Sequence, residues 1–399
     1  MTDPGRQGRP LADPKSPRPG VPARPDAQAK PGAPAKPKPG TPTRPVSGPI
    51  WPALVSVAVI LALAGLCLRF RPLWPNRPPI TSASLVWVTD LAGRQVALPA
   101  DVKTVATLGS TPILNSAVEI LGQGHKIANQ PTLVHDIDGR WRMHKSFAPQ
   151  LASAPFLRDR NHELIFENII DLAPDLSITM TPGYLASLEK LDLPVVWVDW
   201  ATSDLMLETV AFLGQVFNQT ARAEAFAAYY RDRLRLASEI AANIPEADKK
   251  TVVFAFPQPY SVPEEPTETL LAKAGAKSLT AGLSKKGRWY YGPEDLLGWD
   301  PEYILVTDDS HSAALKADPR LGALRAVKAN SFIKVPTVGH MWSGHTVEAP
   351  IVALWTIHRL YPNLYGRREL IDEMTAFYQT FFDYRMSPAL AEEIVDGGW

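Results

Sequence analysis

Glu167-Asn168-Ile169-Ile170-Asp171-Leu172-Ala173-Pro174-Asp175-Leu176 and Pro293-Glu294-Asp295-Leu296-Leu297-Gly298-Trp299-Asp300-Pro301-Glu302-Tyr303-Ile304 are the two stretches on which the fold turns. Each runs from a helical pattern into a proline, then an acidic residue, then an apolar strand. Proline cannot continue a helix, and the acidic residue caps the turn that follows. Any α/β protein can carry one such segment. Two of them, with a long helical stretch between, imply an internally duplicated chain of two lobes.

The sequence around each segment fits that reading. Ser84–Thr89 and Arg94–Leu98, split by Asp90-Leu91-Ala92-Gly93, form a hairpin pattern. Val102–Leu108, Leu176–Met180 and Val195–Asp199 are short apolar strands, with a helix beginning at Asn115–Leu121. Strand–helix–strand order implies a parallel sheet covered by helices. Residues 204–243 are helical almost throughout, with a break near Phe217-Asn218-Gln219-Thr220. Alternation then resumes with strands at Thr251–Phe256, Ile304–Thr307 and Phe332–Val335, a helix at Ala349–Tyr361, and a helical tail from about Arg368 to Val395.

Upstream lies a different kind of sequence. Residues 1–49 carry 14 prolines and nine Lys/Arg against three Asp, a composition that cannot bury apolar surface and is expected to be disordered. Ile50–Leu68 is uncharged over nineteen residues, enough helix to cross a hydrocarbon core of roughly 30 Å. The basic side of such a span stays cytoplasmic. The expected placement is a single-pass inner-membrane protein, N-terminus inside and globular domain outside, contacting the membrane through residues 50–70. A lipidated Cys67 and a cleaved leader are the alternatives. The expected organisation is a tail at 1–49, a transmembrane helix at 50–70, a linker at 71–83, an N-terminal α/β lobe at 84–203, linker helices at 204–244, a C-terminal α/β lobe at 245–365 and a helical tail at 366–399.

Composition excludes some functions. Lys plus Arg equals Asp plus Glu at 41 each, so the chain as a whole offers no nucleic-acid surface. Its one cysteine falls inside the apolar run, which leaves the globular part without disulfides or thiolate chemistry. No Gly-x-Ser-x-Gly, P-loop or His-Glu-x-x-His motif is present, so the chain does not read as an enzyme.

Val88-Thr89-Asp90-Leu91-Ala92-Gly93-Arg94 with Pro99, the two opening segments, Asp318-Pro319-Arg320, Leu324–Asn330 with Val335-Pro336, and Phe377–Tyr384 with Glu392-Glu393-Ile394 follow one another in an order that resembles a known family. It is the periplasmic or extracytoplasmic substrate-binding proteins of ABC transporters for iron–siderophores, haem and cobalamin, of the helical-backbone, class III type. The resemblance spans about 84–396. It implies an α/β fold of two Rossmann-like lobes with parallel sheets, joined by a single long linker helix. It also implies a metal-chelate ligand, with no intrinsic cofactor, and an ABC permease as partner. Glu167 and Glu294 match the positions at which that family pairs a glutamate of each lobe with permease arginines.

Ligands of open α/β sheets bind beyond the carboxyl ends of the strands. The loops there supply the candidate cleft residues: Ser110, Thr111, Arg140, Arg142, His144, Tyr184, Tyr260, Trp289, Tyr290, Tyr291, His311, His340, Trp342 and His345. Trp289, Tyr290, Tyr291 and Trp342 suit stacking on a flat chelate. Arg140, Arg142 and His144 suit its negative charge. The tyrosines are candidates for haem iron or for packing of the cleft wall. His340 and His345 have no standard metal-ligand spacing. Trp197, Trp200 and Trp355 read as core or lobe-interface residues. A second function remains open, a ligand sensor or scaffold signalling through the span to the proline-rich tail.

Overall fold

The computed structural model describes residues 85–109, 111–131, 138–255, 260–342 and 346–398. The proline-rich tail, the apolar run at 50–70, the linker at 71–83, Ser110 and His345 lie outside these residues. All of the described residues fall within one compact unit, residues 74–399. The expected single-pass membrane placement is corrected: among the described residues, no helix is long and apolar enough to cross a membrane.

The chain opens with an antiparallel hairpin, β1 (Leu85–Thr89) and β2 (Gln95–Pro99). Then come β3 (Val105–Leu108), α1 (Ile113–Glu119), α2 (Met143–Phe147), α3 (Phe166–Leu172), β4 (Leu176–Thr179), α4 (Pro182–Glu189) and β5 (Val195–Trp197). Strands β3, β4 and β5 pair in that order, all parallel. Every residue of β3 and β4 is buried, which is why these strands read as near-continuous apolar runs rather than alternating ones.

Two helices follow, α5 (Ser203–Val216) and α6 (Thr220–Ala242). Helix α6 buries Phe226, Tyr230, Leu234, Ala237 and Ala241, one stripe at three- and four-residue spacing. The elbow between the helices is tight. Asn218 takes the left-handed conformation at φ 56°, and a Cβ on Gly214 would meet the Ala223 Cβ at 2.7 Å.

The second sheet is assembled from β6 (Thr251–Ala255), β7 (Tyr260–Ser261), α7 (Glu265–Lys273), β8 (Lys277–Ser278), β9 (Tyr290–Tyr291), α8 (Pro293–Trp299), β10 (Tyr303–Val306), α9 (Asp309–Ala317), α10 (Arg325–Lys328) and β11 (Phe332–Lys334). Its order is β11-β10-β6-β8, all parallel, while β7 and β9 form a separate antiparallel pair. Helices α11 (Ala349–Leu360), α12 (Arg367–Phe381) and α13 (Pro388–Val395) close the chain. Helix α11 packs on α6 and α12, and one core cluster runs from Val105 and Leu176 of the first sheet through Phe226 to Phe254 and Trp355.

The two Pro-acid segments fold alike in detail. Helix α3 ends at Ala173 with φ 41° and ψ 62°, and α8 ends at Asp300 with φ 43° and ψ 62°. A left-handed residue is a common helix terminator, and the proline after each prevents resumption. The acidic residue does more than cap a turn. Asp175 Oδ2 accepts from the Lys103 and Thr104 N–H groups and the Thr104 hydroxyl, each at 3.0 Å. Glu302 Oε2 accepts from the Thr251 N–H at 3.0 Å and its hydroxyl at 3.2 Å. Each carboxylate therefore pins the entry of the neighbouring parallel strand.

Candidate functional site

A cleft of about 740 Å³ opens beyond the carboxyl ends of β3, β4 and β5. Thr111 and Ile113 follow β3, Met180 follows β4, and Trp197 to Ala201 continue from β5. The facing wall comes from the second half of the chain: Ser261 to Glu264 and Thr267, then Trp289 and Tyr290, then His340 and Met341.

The β7–β9 pair explains which aromatics reach the cleft. Tyr260 sits opposite Tyr291 with rings stacked at 5.3 Å. Both are buried, and the Tyr291 hydroxyl donates to Phe254 O at 2.8 Å. Burial pushes the Tyr291 hydroxyl well above its ordinary pKa. Successive residues of a strand face opposite ways, so Tyr290 turns away from buried Tyr291 and stands out at 62% exposure, and Trp289, just ahead of the strand, is exposed at 57%.

His340 is fixed from beneath. Its N–H donates to Glu348 Oε2 at 2.6 Å, and the Gly339 N–H donates to Oε1 at 3.0 Å. The Tyr378 hydroxyl also donates to Glu348, as does that of Thr346 at 3.2 Å. Glu348 is fully buried. Burial raises its pKa against the opposing pull of Tyr378 and the two N–H groups. The imidazole meets Met341 O through Nδ1 and the Thr111 hydroxyl through Nε2, both at 3.2 Å. A neutral ring protonated on Nδ1 satisfies both contacts.

The remaining candidate residues take other positions. Arg140 donates from Nη2 to Thr307 O at 3.0 Å and to Asp308 at 3.3 Å, joining the first half of the chain to the end of β10. Burial raises the Asp308 carboxyl, but Ser310, the His311 N–H and the nearby His311 and Arg140 charges hold it below the usual carboxylate range. His311 contacts Thr307 at 2.9 Å and Asp308 at 3.3 Å. Arg142 begins α2 and is half-buried. His144, read as a loop residue facing an anion, is instead wholly buried, with Nδ1 2.8 Å from Glu119 Oε1. Burial of the carboxylate is offset by that contact, which is why the histidine turns inward. Trp342 is buried edge-to-face against Trp355 at 5.8 Å. Tyr184 donates to His162 O and lies under the Arg158 guanidinium. None of these lines the cleft, whereas Thr111, Trp289, Tyr290 and His340 do.

Trp197, Asp199, Trp200 and Glu264 line the cleft without having been singled out for it. The signal was available: Trp197 ends β5, Asp199 and Trp200 follow it and Glu264 follows β7, and the strand-end rule that marked the loops after β3 and β4 applies equally there. Among the described residues, no three His, Cys, Asp or Glu side chains gather to hold a metal ion.

Glu167 and Glu294 occupy the same station in the two repeats. Each is in the first turn of its helix, α3 or α8, beside an exposed apolar side chain, Phe166 in one and Leu297 in the other.

A family model described as "Periplasmic binding protein" matches residues 135–338. The chain belongs to the periplasmic binding protein family. Several solved members of this fold superpose on it. A periplasmic solute binding protein from Veillonella parvula does so with TM-score 0.66 at 21% identity, over 78% of this chain and 96% of the other. The molybdate periplasmic binding protein MolA of Haemophilus influenzae, bound to molybdate, gives 0.65 at 18%, over 76% and 99%. CeuE of Helicobacter pylori with Ni(II) bound gives 0.59 at 16%, over 77% and 98%. No curated protein matches the sequence. In this periplasmic binding protein the cleft lies where the two sheets' helices and loops meet, as the strand-end rule requires.

Proposed function

We propose that this chain is the solute-binding component of an ABC-type importer, and that it captures a metal complex in the cleft between its lobes. The observation that carries this reading is the cleft itself. It is walled on one side by the carboxyl ends of the first sheet and on the other by the exposed faces of Trp289 and Tyr290. A flat or compact complex of several hundred Å³ fits such a space and buries aromatic surface. The printed descriptions of the structural neighbours, which mention molybdate, Ni(II) and haem, support a metal-bearing cargo. Delivery would use Glu167 and Glu294 as a matched pair facing permease arginines, with Phe166 and Leu297 adding apolar contact. The purified full-length chain, titrated with ferric siderophores, haemin, cobalamin and nickel–histidine, should show saturable quenching of tryptophan emission with one of them. No response to any would remove metal complexes as the ligand class.

A further inference from the structure

We infer that Glu348 is a positioning residue for ligand binding: its carboxylate, buried behind the cleft, holds the Gly339–His340 segment against the first half of the chain. The inference rests on the cleft being the ligand site, and it adds a residue that acts on the ligand only through others. His340 and Met341 line the cleft, whereas Glu348 does not.

Gly339–His340 touches both halves. On the first-half side, the Ser116 hydroxyl of α1 donates to Gly339 O at 2.8 Å. The Thr111 hydroxyl meets His340 Nε2 at 3.2 Å, and the Trp141 ring lies 5.4 Å from the imidazole. On the other side is Glu348, at the start of α11 and fully buried. Each of its oxygens accepts from one backbone N–H and one hydroxyl: Oε1 from Gly339 and Tyr378, Oε2 from His340 and Thr346. A Cβ on Gly339 would meet Glu348 Oε2 at 3.3 Å and Phe382 Cζ at 3.2 Å, so the segment lies flush on the carboxylate.

This donor set separates positioning from mere packing. A hydroxyl can turn from donor to acceptor, but a backbone N–H cannot. In Glu348→Gln the amide nitrogen replaces one oxygen, whichever way the group faces. Either the Gly339 or the His340 N–H then loses its acceptor in a buried place. Tyr378→Phe removes a hydroxyl from the same carboxylate and leaves both N–H bonds intact. The two variants disturb one neighbourhood and differ in whether the cleft segment is released.

Both variants of the purified full-length chain should melt a few degrees lower. Hydrogen–deuterium exchange then reads the segment without any ligand. The amides of residues 339 and 340 should exchange at least about tenfold faster in Glu348→Gln than in Tyr378→Phe, the scale of one buried hydrogen bond. Haemin and nickel–histidine are the binding probes. The one that quenches tryptophan emission of the native chain should bind Glu348→Gln about tenfold more weakly and Tyr378→Phe unchanged. Ser116→Ala loosens the segment from its other side. It should speed the same exchange, and it should add little to the effect of Glu348→Gln, since both act through one segment. It also keeps the comparison with Tyr378→Phe if Glu348→Gln does not fold. Equal exchange in the Glu348 and Tyr378 variants, or equal loss of affinity in both, would overturn the assignment. So would faster exchange with affinity unchanged. A native chain that binds neither probe counts against the metal-complex reading, while the exchange comparison still decides whether Glu348 holds the segment.

Discussion

Glu302 grips Thr251 as Asp175 grips Thr104: in each pair the carboxylate accepts from the threonine N–H and hydroxyl, and the acidic residue's own N–H donates back to that hydroxyl at 3.0 Å. The threonine opens a strand and the acid opens its parallel neighbour. Two chain segments distant in sequence are thereby stapled at the edge of the sheet opposite the cleft. The same device in both sheets is the duplication expressed in hydrogen bonds.

That staple is pH-dependent on the Glu302 side. Burial raises this carboxyl, yet the Thr251 N–H and the Lys250 ammonium outweigh it and hold the pKa below the ordinary value. A depressed carboxylate stabilises the fold at pH above its unfolded value of about 4.3 and loses that contribution as pH falls through the folded one. Glu302→Gln should therefore unfold about 1 kcal/mol more easily at pH 7. The gap to the native chain should close in acid, as urea melts at the two pH values will report.

Trp289 and Tyr291 are close in sequence and opposite in role. Trp289→Ala removes an exposed ring, so melting should be unchanged while ligand affinity falls by about tenfold, the scale of one ring contact. Tyr291→Phe deletes a buried donor to Phe254 O. It should cost about 1 kcal/mol of stability and leave affinity alone. Paired melting and fluorescence titrations separate the two.

Glu167 and Glu294 sit away from the cleft walls. The double variant Glu167→Ala/Glu294→Ala should bind ligand normally and fail to stimulate ATP hydrolysis by the reconstituted permease. Each single variant should fall between, since the two sites contribute separately. Weakened ligand binding in the double variant would remove the docking assignment.

Arg140 links the halves through Thr307 O and Asp308, in a pair with 38% and 35% side-chain exposure. Exposed pairs contribute up to about 1 kcal/mol. Arg140→Ala should consequently speed ligand release by only a few-fold in stopped-flow displacement, with the association rate little changed.

His144 and Glu119 are both buried at their side chains. Removing one partner leaves the other uncompensated. Glu119→Ala or His144→Ala should destabilise by roughly 3 kcal/mol, and an apolar replacement of both should cost less than either. Thermal melts of the three variants decide it.

Much of this architecture could be read from sequence because proline and charge punctuate it strongly. Pro174 and Pro301 end helices, and the apolar strands after them are too short and too continuous to be anything but buried parallel strands. Other features rest on contacts that no local pattern encodes. Tyr260–Ser261 and Tyr290–Tyr291 are two-residue strands, shorter than any periodicity can register. His144 follows Arg140 and Arg142 on one stretch, so it read as a cleft-loop residue facing a ligand's negative charge. Its burial depends on Glu119, 25 residues earlier. Trp197 ends an apolar strand, so it read as a core or lobe-interface residue. It reaches the cleft because the chain beyond β5 turns toward the opposite wall.

The elbow at Gly214 has a mechanical consequence. The nearest obstacle to a side chain there is the Ala223 methyl carbon, which has no rotamer into which to retreat. Even alanine at position 214 would have to push α5 and α6 apart, so the close crossing of the two linker helices depends on a residue without a side chain.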